Sequence, residues 1–393
     1  MKEFNLDRLN AKKIQLGEVP IKLVKTTYPD IVLNDGYLVD KYGNKIGTKG
    51  DANTKIVLDK ILQKGCLDNV PRPVYKDKYK DAKYYKDDLI IVTKDGREIP
   101  IDKTAKVFEM DDLIEVHSLA HTLSINTGIE LTYDLSELES PLITLRPIAT
   151  KTSGDEVLEI YQKESNDLVE FDEMLGIKTW EKDGKINNWW KDWAIRDADG
   201  ELILNEKGHP FKGACYGETA RRRHMIYTQV IDQIRTNPDG RRNITDLWQM
   251  DDFKEPHALK PCAFLTIWNV RRGWDGEDYL DMTMVQRSSD FATAGCINQV
   301  QYVMLQLMIA KELGLKPGYF TWKPVNVQIY DRHINQCIEM LNRTPVDCKA
   351  MPTLKAHAHK KFKNMKSTDI YIKNYPKAKI KKKNPQLKFP LGI

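Results

Sequence analysis

Residues 257–269 read HALKPCAFLTIWN and residues 278–298 read DYLDMTMVQRSSDFATAGCIN, with Gly273 and Gly276 in the short link between them. Both runs are rich in β-branched, aromatic and long apolar residues, a composition that suits paired strands, and glycine in the link signals a turn. The segment therefore reads as a hairpin. It decides the fold because the chemistry-bearing residues gather at its ends. Cys262 follows a proline at the head of the first strand. The second strand empties into Gln286-Arg287-Ser288-Ser289-Asp290 and a small-residue loop ending at Asn298. A thiol, an Arg-Ser pair and a carboxamide so close in the chain read as a nucleophile, an anion clamp and a polar reader of a planar ring.

Bulk properties narrow the class. At 393 residues the chain suits one large domain or two ordinary ones. Hydrophobic residues make up 41% and mean hydropathy is −0.53, as in soluble globular proteins. No run approaches the roughly 18 apolar residues of a membrane span. The opening MKEFNLDRLNAKK lacks the apolar core of a secretory signal, so a cytoplasmic protein is expected. Six cysteines stand without C-x-x-C pairing or histidines at zinc spacing, which points to reduced thiols and no metal. The net charge of +5 fits a phosphorylated or polyglutamylated small substrate and is too mild to argue for nucleic acid.

Along the chain, residues 1–50 carry turn signals between short apolar runs and read as an accessory extension. A helix is expected from Asn53 to Gly65, with Gly65 at its C-cap. Residues 74–120 read as a surface insertion: a Lys-Tyr stretch, then LIIVTKDGREIPI, an apolar-turn-apolar hairpin signal. A strand is expected over Ser140–Thr144 and an amphipathic helix over EVLEIYQKESN. Further helices are expected over residues 225–234 and 299–313. Between them, Asn237-Pro238-Asp239-Gly240 is a turn displaying Arg241 and Arg242, a typical anion contact.

The Pro261-Cys262 pair, the QRSxD box from Gln286 to Asp290 and Asn298, twelve residues past that Gln, resemble the core of the thymidylate synthase and pyrimidine hydroxymethylase family. The likeness extends over about 52–74 and 120–393. It implies an α+β fold, an α/β sandwich with one large mixed sheet at the dimer interface. A single catalytic domain would span 51–393, with the 1–50 extension and the insertion decorating it. By the same resemblance Cys262, Glu156, Tyr216, Asn298 and Asp290 are the catalytic candidates. Substrate contacts fall to Arg72, Arg241, Arg242, Gln286, Arg287, Ser288, Asp290, Asn298, Gln328 and Tyr330. Folate contacts fall to Arg146, Trp190, Trp193, Asp290 and the terminal Ile393. The expected partners are dUMP, 5,10-methylenetetrahydrofolate and a second copy of the chain, whose Arg241 and Arg242 complete the phosphate site.

A carboxamide at 298 can complement the N3–H and O4 of uracil, and family members acting on dCMP carry Asp there, so dUMP is expected. Two departures bear on the final step. The residue after the nucleophile is Ala263 where synthases have His, and Gln328 replaces the His of a sugar-contacting His-x-Tyr. Losing imidazole beside the thiol frees space for water. The expectation is therefore a deoxyuridylate hydroxymethylase of bacteriophage type, with thymidylate synthase as the alternative. A catalytically idle relative, or a nucleic-acid binder using the Lys-Tyr insertion and basic tail, is a third class.

Overall fold

The alternation that marks the hairpin has a direct structural outcome. In its second strand Met282, Met284 and Gln286 turn inward and are buried, while Thr283, Val285 and Arg287 between them face outward. The computed structural model describes residues 1–4, 27–75, 83–85, 90–92, 98–100, 107–109, 113–177, 185–197, 201–356 and 360–389, with backbone alone for those within 67–121 and for Asp192.

Eight strands form the main sheet: β1 Cys66–Tyr75, β2 Val107–Glu109, β3 Leu113–Ile125, β4 Leu131–Asp134, β5 Asn243–Asp246, β6 Ala263–Arg272, β7 Asp278–Asp290 and β8 Lys316–Tyr330. Their order is β2-β3-β8-β7-β6-β5, with β1 also paired to β3 and β4 to β8. β7 and β8 run parallel and the other pairs antiparallel, so the sheet is mixed. The hairpin β6–β7 is as expected, closed by Gly276 at a left-handed φ of +81°.

The helices are α1 Lys49–Lys64, α2 Thr150–Tyr161, α3 Leu168–Leu175, α4 Gly217–Arg223, α5 Cys296–Leu313 and α6 Ile334–Asn342. α5 is buried without a break from Gln299 to Ala310, as a helix apolar on all sides must be. It crosses from β7 to β8, and Gln306 fastens it to both by donating to the Leu280 and Tyr319 carbonyls at 2.8 and 3.0 Å. α2 packs on α5 and carries Glu156. The fold is thus α+β with a large mixed sheet. Among the described residues no helix is long and apolar enough to cross a membrane.

Five expectations change in detail. The first helix starts at Lys49 behind a Thr48–Asp51 capping box, so a boundary at residue 51 would cut it. Phe4 and Tyr28 of the N-terminal region lie in the core, and the Tyr28 hydroxyl donates to Asp59 of α1 at 2.9 Å. Gly65 caps α1 as expected but in an extended conformation rather than a left-handed one. Residues 66–75 form a strand, not a helix and loop; Pro71 and Pro73 are tolerated because β1 pairs only with β3. Ser140–Thr144 is not a strand. The amides of Thr144 and Leu145 donate to the Asp51 carboxylate at 2.6 and 3.2 Å, which takes the place of a strand partner. In the insertion, Ile90–Val92 pairs antiparallel with Glu98–Pro100, the expected hairpin.

Candidate active site

Cys262 stands just ahead of β6, half-buried. Arg287, on the neighbouring strand, fixes its approach. The Arg287 backbone N–H donates to the Cys262 carbonyl at 2.9 Å, and its side chain donates Nε to the Pro261 carbonyl and Nη2 to the Lys260 carbonyl, both at 3.0 Å. The rest of the guanidinium remains to meet an anion, beside Ser288. An arginine beside a thiol favours the thiolate. Burial instead holds the Cys262 thiol above its ordinary range, and Arg287 is the cation that opposes it.

Asn298 lies in the first turn of α5 rather than in a loop, and its carboxamide is held on both sides. Gln286 Nε2 donates to Asn298 Oδ1 at 3.1 Å, and Asn298 Nδ2 donates to Gln301 Oε1 at 2.8 Å. Gln301 Nε2 then donates to Glu156 Oε2 at 2.7 Å, and the Trp322 indole N–H donates to Gln286 Oε1 at 3.0 Å. This chain begins on an obligate donor, an indole N–H, and ends on a carboxylate. Its direction is therefore fixed, and so is the face each amide turns to the site. Burial pushes the Glu156 carboxyl up, while the Lys212 charge and the Gln301 hydrogen bond pull it down.

Trp190 and Tyr216 form the wall, their ring centroids 5.7 Å apart. Tyr216 is 9% exposed, reaches the Cys262 backbone, and has its hydroxyl held protonated by burial. Its backbone takes φ +48°, a strained value for a non-glycine residue. The next residue explains why that strain is held. A Cβ on Gly217 would lie 1.7 Å from the Ser165 carbonyl oxygen, so only glycine lets the chain pass. Trp193 is partly buried against the core behind this wall.

At the far end of β7, Asp290 accepts a hydrogen bond from Thr293 Oγ1, and its Oδ1 is buried without one, His333 Nδ1 standing 3.9 Å away. Burial raises the Asp290 carboxyl, against the nearby His333 and Arg146. Gln328 on β8 pairs alongside Asp290 and Ser124, and the Tyr330 ring lies 5.3 Å from that of His333. Arg146, expected as a folate contact, is drawn inward. It is 4% exposed, donates to the carbonyls of Ala292 and Thr293 at 3.1 and 3.0 Å, and stacks on Phe389. Buried carbonyls need a donor, and this guanidinium supplies it. Arg241 and Arg242 are exposed on their turn. The Arg72 side chain and Ile393 lie outside the described residues.

Comparison with known proteins agrees with this geometry. A family described as thymidylate synthase matches residues 106–386, more than half the chain. A thymidylate synthase of Streptococcus pneumoniae strain 70585 is 34% identical over 347 residues, covering 88% of this chain and all of that protein. One from Lactococcus lactis subsp. lactis strain IL1403 is 38% identical over 267 residues, covering 68% of this chain and 86% of that one. The chain belongs to the thymidylate synthase family. It is thus an enzyme of a one-carbon transferase family. The solved structure of thermostable thymidylate synthase A from Bacillus subtilis superposes with a TM-score of 0.58 at 23% identity, over 87% of this chain and 99% of that one, and supports the fold.

Within this thymidylate synthase-family chain, three site residues escape a reading of the sequence. Gln301 shares a helical face with Asn298 at i,i+3, a spacing that could have flagged it. Glu159 shares a face with Glu156 in the same way. Lys212 gives no such sign, because its partner is 53 residues away.

Proposed function

We propose that the protein is a deoxyuridylate hydroxymethylase of bacteriophage type. It would act as a homodimer in the cytoplasm of the host and convert dUMP to 5-hydroxymethyl-dUMP. The observation that carries this reading is Ala263: beside the nucleophile stands a methyl group, half-exposed, where imidazole would exclude or order water differently. Gln328 is the second such departure.

The phosphate is held by Arg287 and Ser288 together with Arg241 and Arg242 of a second copy, with Arg72 a further candidate. Gln328 and Tyr330 meet the sugar, and Gln286 and Asn298 read the ring. The Cys262 Sγ bonds to C6, which makes C5 nucleophilic. Methylenetetrahydrofolate, when bound, supplies the one-carbon unit to C5. Glu156 orders water and accepts the proton lost from C5, and tetrahydrofolate would leave as its bond to the one-carbon unit breaks, giving an exocyclic methylene on C5. Water then adds to the exocyclic methylene, and the Sγ–C6 bond breaks to release the product. The folate fits polar atoms that want partners. Asp290 Oδ1 and the Trp190 indole N–H are both buried without a hydrogen bond. Trp193, Arg146 and Ile393 complete the folate side of this reading.

A second reading, thymidylate synthase making dTMP and dihydrofolate, is favoured by the names of the relatives and by the buried Trp190, which would shield the methylene from water. One experiment separates them. Purified protein is given dUMP and methylenetetrahydrofolate, the nucleotide is weighed by mass spectrometry and the folate followed by absorbance. A product heavier than dUMP by formaldehyde, without dihydrofolate, is expected. Product of dTMP mass with dihydrofolate in step would establish the synthase.

A further inference from the structure

A charged pair sits beneath the wall of the site with no access to water. Lys212 Nζ donates to both carboxylate oxygens of Glu159 at 3.0 Å, and both side chains are 0% exposed. Three rings box the ammonium: Trp190 at 4.5 Å from the ring centroid, Tyr216 at 5.8 Å and Phe171 at 6.0 Å. The backbone holds Lys212 as firmly. Its N–H donates to the Asn166 carbonyl at 3.1 Å, and its carbonyl accepts from Ala258 at 2.8 Å, in the segment leading to Cys262. Two of the three rings are the site wall itself, and Glu156 lies on the same face of α2 as Glu159.

Such a pair is a poor device for stability alone, since desolvating two charges offsets most of their attraction. Its position suggests another use. We propose that Lys212 is a positioning residue for Glu156: clamped by Glu159 and boxed by Trp190, Tyr216 and Phe171, its ammonium is a fixed positive charge behind the site that favours the proton-accepting form of the Glu156 carboxyl. The Lys212 charge and the hydrogen bond from Gln301 act on the Glu156 carboxyl in the same sense. Burial pushes Glu159 itself up to about 7, and the Lys212 clamp works against that. The other titratable groups around the ammonium are Asp167, paired with His209 at 2.8 Å, and Cys215 and Tyr216 on its own loop; Tyr302 of α5 adjoins Glu156 and Tyr216.

The inference rests on the proposed role of Glu156, and the test is chosen to separate the two. Protein labelled with 13C at the glutamate δ-carbons is titrated by NMR without substrate, Glu156→Gln assigning the signal. Lys212→Met removes the cation, and the Glu156 midpoint should rise by about one pH unit or more, a tenfold gain in proton affinity. Glu159→Gln keeps an acceptor for the ammonium but removes the neighbouring negative charge, and the midpoint should fall. Opposite signs from the two halves of one pair are not expected of a merely structural bridge. An unmoved or lowered midpoint in Lys212→Met overturns the proposal. If that variant does not fold, Glu159→Gln decides alone, and an unmoved or raised midpoint overturns it. Turnover of dUMP against pH is then measured on the same variants. If the NMR midpoints move while the acidic limb of turnover stays, Lys212 keeps its assignment and Glu156 loses its role as proton acceptor.

Discussion

Replacing Gln301 by Met keeps the side chain's length and volume while deleting two hydrogen bonds at the centre of the site. One is donated to the Glu156 carboxylate at 2.7 Å, the other accepted from Asn298 at 2.8 Å. A hydrogen bond to a charged group contributes about 1.5–3 kcal/mol and a neutral one about 1 kcal/mol. Their joint loss is therefore about 2.5–4 kcal/mol if both are needed to hold the reacting geometry, or about 10²- to 10³-fold in kcat/KM. The pH profile should change as well. Gln301 helps to lower a Glu156 carboxyl that burial raises, so its removal sends the acidic limb of kcat/KM to higher pH. Discrimination between dUMP and dCMP should relax too, because Asn298 loses the acceptor that fixes its orientation. The assay is steady-state turnover of both nucleotides across pH, with thermal melting to check the fold. A folded variant within about threefold of the parent, on an unshifted profile, would refute the idea that the amide chain orders the site.

Other perturbations test neighbouring parts of the argument. Asn298→Asp should move preference toward dCMP in competition assays, and a variant still strict for dUMP would mean the ring contact lies elsewhere. Cys262→Ala should abolish turnover and any covalent nucleotide adduct seen by protein mass spectrometry; unchanged rates would remove the thiol from the mechanism. Gly217→Ala forces a Cβ into the Ser165 carbonyl and should cost about 3 kcal/mol in denaturant unfolding, with a neutral result contradicting the close approach. Burial lowers Lys55 to about 8, below its unfolded value, so its contribution to stability is present above pH 10.5 and lost as pH falls through 8. The stability of the parent relative to Lys55→Met should therefore rise by about 3 kcal/mol between those values, and a flat difference would show that Lys55 is not desolvated.

Where sequence and structure agree, a local signal explains it. The hairpin from Cys262 to Asp290 is legible because strand alternation and a glycine turn are both short-range. Glu156 was placed by the likeness of its helix to the family's and by its register with Gln162, Ser165 and Asn166; it lies on α2, which packs against α5. The strand around Arg72 was not legible, because the family likeness suggests a helix and loop there and the sequence does not tell that β1 is an edge strand where two prolines do no harm. Ser140–Thr144 was expected as a strand from its likeness to a family segment, but its amides are taken by a carboxylate over ninety residues earlier in the chain. The Cys262 thiol has Arg287 beside it, yet burial dominates its setting, and burial is a product of the fold that the sequence does not display. Lys212 and Glu159 were unreadable for the same reason. A lysine and a glutamate look like surface residues until the fold encloses both.

The parallel pairing of β7 with β8 has a consequence for the order in which the molecule is built. Antiparallel neighbours joined by a tight turn can form early, and Cys262 and Arg287 belong to such a hairpin. β8 cannot dock on β7 until α5 has wound and reversed the chain. Trp322 therefore meets Gln286 late, and Gln301 meets Glu156 across 145 residues of sequence. During refolding the thiol would acquire its strand setting before the carboxyl and the ring-reading amide acquire theirs. Activity would then return more slowly than secondary structure, with closure of the hydrogen-bonded chain as the final event.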